Sequence, residues 1–197
     1  LVGYVGAYPY AEVISGYTAF FLGIQSVVEN VAMQVQFTNS WFDITAEGEA
    51  ANMLMANGCV IIGQHADSTG APAAVQAAHE NGTLAFSVGY NIDMQSVAPD
   101  VALTSATNNW AVYYEYAIST MQKGETLPKN WAEGFEQDAV AITELSAACA
   151  EGTEEKVEEV ISAIKAGELH VFDITKFTVD GKQVDSCVVD LNNNLQN

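Results

Sequence analysis

The chain has 197 residues, 49% of them apolar, enough for one sizeable core or a large domain with an appendage. Six lysines, no arginine and 25 carboxylates give a formal net charge of -19. That charge sets the chain against nucleic acids and anionic lipid headgroups, because both are held mainly by Lys and Arg. No run of about 18 apolar residues occurs, so no membrane-spanning helix is expected.

Leu1 to Ala7 already reads as a strand, with neither an initiator methionine nor a signal peptide. A piece of a longer protein is expected rather than a chain with its leader removed. After Tyr8-Pro9-Tyr10 a helix is predicted over about 11–28, with Val13, Ile14, Tyr17, Phe20, Phe21, Ile24 and Val28 on one stripe. Met33 to Thr38 alternates like a strand. A helix follows Asp43, with Thr45 as a possible cap and Ala50, Met53 and Leu54 facing inward. Gly58 to Gly63 is a continuous apolar run of the parallel-sheet type. A helix over about 70–81 stops at Asn81-Gly82. Thr83 to Val88 and Val101 to Ser105 complete an alternation that predicts an α/β fold with a parallel, doubly wound sheet.

Further on, residues 109–123 read as an aromatic-rich helix ending at Lys123-Gly124, followed by a loop from Pro128 to Gly134. Ala139 to Leu145 is strand-like, and Glu154 to Ala166 is amphipathic, with Val157, Val160, Ile161 and Ile164 on one face and Gly167 as its stop. Val171-Phe172 and Phe177 to Val179 are expected to flank a hairpin turning at Asp180-Gly181. The Asn192 to Asn194 tail is expected to fray. Cys59, Cys149 and Cys187 are odd in number and widely spaced, so neither a disulfide scaffold nor a metal site is expected, and no cofactor is implied. Cys59 reads as a small core hydrophobe.

Three clusters follow the predicted strands: Asn39-Ser40-Trp41-Phe42-Asp43, Gln64-His65-Ala66-Asp67-Ser68 and Gly89-Tyr90-Asn91-Ile92-Asp93. Loops after successive parallel strands converge on one sheet edge, where ligands bind. Trp41 there can stack on a flat ligand, or it can pack its loop onto the core. Asp43 can accept from a ligand, although capping the next helix is the simpler role. The 64–68 box supplies donors and acceptors for a ligand or for the strand end. His65, Asp67 and Ser68 are too crowded in sequence to relay as a triad, whose members come from separate loops. Asp93 can accept from vicinal hydroxyls, as an acidic residue does toward ribose in dinucleotide sites, or can make its own turn. Gly3-Tyr4-Val5-Gly6 lacks the pattern and the lysine of a phosphate loop. Acidic loops without a basic cluster favour a neutral polar ligand with a flat part and hydroxyls.

The ordered motifs resemble the basic membrane protein (Bmp, PnrA-like) family of substrate-binding lipoproteins that serve ABC transporters. The likeness runs through Gly3-Tyr4-Val5, Tyr8-Pro9, Glu12-Val13, the three clusters above, Asp93-Met94, Ala98-Pro99, Leu103-Thr104 and Asn109-Trp110 with Tyr113-Tyr114. The resemblance implies one lobe of a periplasmic-binding-protein fold of the sugar-binding type, closing on a purine nucleoside or nucleobase. It gives Trp41 the purine-stacking position and Asp93 the ribose carboxylate. Residues 64–68, with Asn108 and Asn109, fall on the sugar side. Asn108 stands where some nucleoside binders carry a lysine. It further implies residues 1–105 as the second lobe, 106–138 as a segment crossing to an absent first lobe, and 139–197 as the return. With half the enclosing surface gone, weak ligand binding by this chain alone is expected.

The expected ligand contacts are therefore Trp41, Asp43, Gln64, His65, Asp67, Ser68, Tyr90, Asp93, Asn108 and Asn109. The expected partners are the ligand, a permease reached through an extracytoplasmic, lipid-anchored whole protein, and a second copy through the exposed 109–123 helix. Two other readings stand beside it. One is a sensory domain of the same fold in a receptor or regulator, taking a ligand such as a sugar. The other is a nucleoside hydrolase-like enzyme using Asp67 and Asp93, against which stands the lack of an activated nucleophile.

Overall fold

A computed structural model describes residues 1–173, 175 and 178–183, together with the backbone of 188–189 and 195–196. Six strands form the main sheet: β1 (Val2–Gly6), β2 (Met33–Phe37), β3 (Ile61–His65), β4 (Phe86–Tyr90), β5 (Ala102–Asn108) and β6 (Val140–Ile142). Their order is β2-β1-β3-β4-β5-β6. The first five are parallel and β6 runs antiparallel against β5. The chain leaves β1 toward β2 and then returns past it to β3, and a crevice opens at the carboxyl ends of strands where the order reverses in this way.

Among the described residues, five α-helices accompany the sheet: α1 (Ala11–Gln25), α2 (Ile44–Ala56), α3 (Gly70–Glu80), α4 (Trp110–Gln122) and α5 (Thr153–Lys165). Two glycines of β1 identify its faces, because a Cβ on Gly3 would meet Leu54 of α2 and one on Gly6 would meet Val13 of α1. Thus α1 lies on one face, and α2 packs against α3 on the other. The buried cluster sits on the α2/α3 side, with Val5, Leu54, Ile62, Val75, Met94 and Val101 at its centre. Cys59 belongs to it as a small apolar side chain, and burial pushes its thiol pKa up.

The parallel, doubly wound sheet predicted from the alternation is present, with several shifts. The Gly58–Gly63 and Thr83–Val88 runs enter the sheet three residues late, at Ile61 and Phe86. Gly58 is in the left-handed region (φ 91) and Leu84 is exposed, so each run begins as turn or approach. The fifth strand continues to Asn108, sustained by β6 alongside it. Helix α1 ends at Gln25, leaving Val28 exposed. Met53 also points outward. Asp43, not Thr45, caps α2, its Oδ1 accepting from the Ala46 N–H at 2.9 Å. The amphipathic stripe of α5 is as expected, although every residue on it stays partly open.

Near the C-terminus Asp180 and Gly181 (φ 51 and 73) do turn a hairpin, between β7 (Thr178–Val179) and β8 (Lys182–Gln183). Val171-Phe172 is a turn rather than its partner strand. A further antiparallel pair is formed by β9 (Val188–Val189) and β10 (Leu195–Gln196). Phe177, Cys187 and the Asn192–Asn194 tail lie outside the described residues.

Candidate functional site

The carboxyl ends of β2, β3, β4 and β5 deliver side chains to one open cavity of about 770 Å³. That is within the range of small-molecule sites. Trp41 comes from the loop after β2, where Asn39 takes a left-handed turn (φ 57). Its indole is half-buried: part of it packs on the core, near the Tyr8 ring at 5.6 Å, and part lines the cavity. The two roles open to it in the sequence are therefore compatible. Beside it, the Asp67 N–H donates to the Trp41 carbonyl at 2.7 Å.

Asp67 lies just past the end of β3 and lines the cavity. Its Oδ1 accepts from the Asn91 amide at 2.8 Å. Asn91 itself sits in the left-handed region (φ 66), where asparagine is tolerated better than most residues. Its carbonyl accepts from Thr107 and its N–H donates to Ala106, so the carboxylate is fixed through β4 to β5. Tyr90, at the end of β4, and Asn108, at the end of β5, both line the cavity. Burial pushes the Tyr90 phenol pKa up, and the Glu12 carboxylate adds to the rise.

His65 ends β3 and is only 6% exposed. Its ring lies 4.3 Å from that of Tyr90, centroid to centroid. Both ring nitrogens are buried without a hydrogen-bond partner among the described residues. Glu12 approaches Nε2 at 3.9 Å, too far for a hydrogen bond. Burial lowers the His65 pKa, outweighing the pull of Glu12 and Asp67, so the imidazole is neutral at neutral pH. Helix α1 passes so close that a Cβ on Gly16 would stand 2.5 Å from Nδ1.

The cavity thus gathers Trp41, His65, Asp67, Tyr90 and Asn108 from the ten residues singled out in the sequence. The other five do not line it. Asp43 caps α2. Asp93 caps the 3-10 turn Met94–Ser96 by accepting from the Gln95 N–H at 2.9 Å, and is exposed. Gln64 is buried, donating to the Ala66 and Ser68 carbonyls at 2.7 and 3.1 Å. Ser68 is fully buried, its Oγ accepting from the Gly70 N–H. Asn109 donates to the Asp138 carbonyl at 3.0 Å. Of the two carboxylates named for a hydrolase-like reaction, only Asp67 faces the cavity.

Sequence reasoning missed one wall entirely. Glu12, Ser15, Gly16 and Ala19 recur at i, i+3, i+4 and i+7 along α1 and line the cavity together. That small, polar stripe was legible at helical spacing. Asn91, inside the third cluster, also lines the cavity, and Trp110 and Phe172 arrive from distant segments. Among the described residues, no lysine or arginine lines the cavity. Among the described residues no cluster of His, Cys, Asp and Glu is arranged to hold a metal ion.

Residues 1–175 match the family model described as "ABC transporter substrate-binding protein PnrA-like", Bmp. The chain is 36% identical over 172 residues to a purine-binding protein of Brucella abortus, covering 87% of this chain and 47% of that one. It is 30% identical over 171 residues to a Haloferax volcanii protein named provisionally as an ABC transporter glucose-binding protein, covering 87% and 42%. Among solved structures, an ABC transporter solute-binding protein from Conexibacter woesei superposes with a TM-score of 0.68 at 18% identity, over 86% of this chain and 56% of that one. The chain therefore spans less than half the length of these two curated relatives. By the extent of the family match and the agreement in fold, it belongs to the Bmp family of PnrA-like ABC transporter substrate-binding proteins.

Proposed function

We propose that this chain is the ligand-binding part of an extracytoplasmic, lipid-anchored protein that captures a purine nucleoside or nucleobase and passes it to an ABC permease. The carrying observation is the pairing of Trp41 with Asp67. An aromatic plane and a carboxylate, joined by one backbone hydrogen bond, face the same cavity. Stacking of a base on an aromatic side chain is worth about 1–3 kcal/mol. Asp67, held by Asn91, takes the hydroxyl-accepting role first expected of Asp93. Tyr90 and Asn108 supply further polar contacts, and His65 adds a neutral imidazole ring to the wall, its nitrogens buried without a hydrogen-bond partner among the described residues. Among the described lining residues, two carboxylates and no lysine or arginine favour an uncharged ligand over a phosphorylated one. The Brucella relative, named for purine binding, supports the same ligand class.

In this account residues 1–105 act as the second lobe, 106–138 pass to a first lobe outside this chain, and 139–197 return. Ligand shifts an open–closed equilibrium between the lobes. This chain alone binds weakly, since it supplies half of the enclosing surface. Trp110, Tyr114, Ile118 and Met121 form an exposed stripe along α4. Light scattering reads whether two copies of this chain pair through it.

A second reading, capture of a sugar, is favoured by the Haloferax relative and by the hydroxyl-seeking groups Asp67, Asn91 and Asn108. Mass spectrometry of the ligand carried by the whole protein, purified without refolding, decides between them. A purine nucleoside or base is expected, and a sugar or peptide overturns the purine assignment.

A further inference from the structure

Glu47 is fully buried in the first turns of α2 and does not line the cavity. Its Oε1 accepts from the Asp43 N–H at 3.2 Å, closing the loop that carries Trp41. The same oxygen accepts from the Ser68 N–H at 3.2 Å, across 21 residues, on the loop that carries Asp67. We propose that Glu47 is a positioning residue for the cavity, holding the Trp41 and Asp67 loops as one unit. The inference rests on the reading of the cavity as the ligand site only for its effect on affinity, not for its effect on the loops.

The local half of this arrangement resembles a capping box, in which an acidic side chain reaches back to the N-cap N–H. Capping alone needs no bond to Ser68. It also does not explain full burial, which costs a carboxylate its hydration and leaves Oε2 without a partner among the described residues. Burial pushes the Glu47 pKa up, in keeping with that cost. What offsets it is the junction of two helix starts. The residue sits where α2 begins and against the approach to α3, and N-terminal N–H groups favour an anion.

The junction has little slack. A Cβ on Gly70 would collide with the Ile44 carbonyl, so the two helix starts meet backbone to backbone. The Asp67–Trp41 bond lies beside it and joins the same two loops. Removing Glu47 therefore leaves one tie where there were two. The indole and the Asp67 carboxylate then lose their fixed spacing, while the strands beneath keep theirs.

Amide hydrogen exchange on this chain without ligand tests the loop part. In Glu47→Ala, exchange at Asp67 and Ser68 is expected to rise about tenfold, as lost bonds to a charged group imply, with Val88 and Thr104 in β4 and β5 unchanged. Glu47→Gln keeps an acceptor oxygen and is expected to raise those rates only about threefold. A rise spread evenly over the sheet, or none at residues 67 and 68, overturns the proposal. Should Glu47→Ala not fold, Glu47→Gln carries the test alone, and an unchanged Ser68 rate overturns it.

Adenosine affinity supplies the second readout. Glu47→Ala is expected to weaken it about tenfold, and Glu47→Gln to restore most of it. Equal affinity in Glu47→Ala and the parent chain, with loosened loops, overturns the positioning role. If adenosine binds neither protein while the loops loosen as described, the purine reading fails and the positioning role stands.

Discussion

On the sheet face covered by α2 and α3, Leu54, Ile62, Val75 and Val101 are each at most 2% exposed. On the face covered by α1, Val13 is the one fully buried residue of that helix, and Tyr17, Phe20 and Phe37 stay partly open. The closed face is filled by small aliphatic side chains and alanines, which let helices sit close to the strands. The other face uses aromatic rings, with Tyr4 against Tyr17 and Phe20 at 5.9 and 5.5 Å. Rings cover area without sealing it, and a second cavity of about 360 Å³ remains between α1 and α5. The cavity wall of Glu12, Ser15, Gly16 and Ala19 belongs to this open face. Stability is thus concentrated on one side of the sheet and the room for a ligand on the other.

The contrast breaks or sharpens at single residues. Leu54→Ala on the closed face should cost about 2–5 kcal/mol, through lost transfer energy and the void it leaves. Leu22→Ala on half-open α1 should cost about 1 kcal/mol, in proportion to the smaller area it hides. Urea denaturation measures both, and equal losses would erase the distinction. Gly16→Ala should act in the opposite sense. The added methyl displaces His65, so adenosine affinity falls about tenfold while the unfolding free energy changes by about 1 kcal/mol. Denaturation and calorimetry together check that split.

The smaller effects concern protons and caps. His65 has a pKa held below its ordinary 6.5, so the unfolded chain binds the proton more readily than the folded one. Stability is therefore full above about pH 6.5 and declines as pH falls below it, toward the lower folded value. His65→Asn should remove that part of the decline between pH 7 and 5 in thermal melts. Asp93→Ala should shift stability by about 0.5–1 kcal/mol through the lost cap. Adenosine affinity in that variant should stay within about twofold, whereas Asp67→Asn loses about tenfold. Calorimetry that ranks Asp93 above Asp67 would reverse the assignment of the hydroxyl acceptor.

The parallel sheet was legible because apolar runs alternate with helical stripes, and the turn signals at Asn81-Gly82 and Gly167 were sound. Strand limits were less so. Apolar Cys59 and Val60 look like strand but precede it, whereas Gln64 and His65 look like loop and yet close β3. Polar side chains are tolerated there because a strand end can open onto a cavity. Trp41 and Asp67 could be placed from their position after strands. Asp43 and Asp93 could not be told from ligand contacts, because a short carboxylate before a helical turn serves either purpose. Glu12 and Gly16 carry no ligand signal of their own, because the apolar stripe of α1 dominates its pattern while the small, polar stripe forms the wall. The Glu47 bond to Ser68 has no signature in the sequence, as it depends on two helix starts meeting across 21 residues.

The most direct test of the account is the indole N–H resonance of Trp41 in this chain, assigned through Trp41→Phe and titrated with adenosine and with glucose. A saturable shift with adenosine, needing about tenfold more adenosine in Asp67→Asn and absent with glucose, is the predicted result. A Trp41 signal that ignores adenosine, or answers glucose instead, would contradict it.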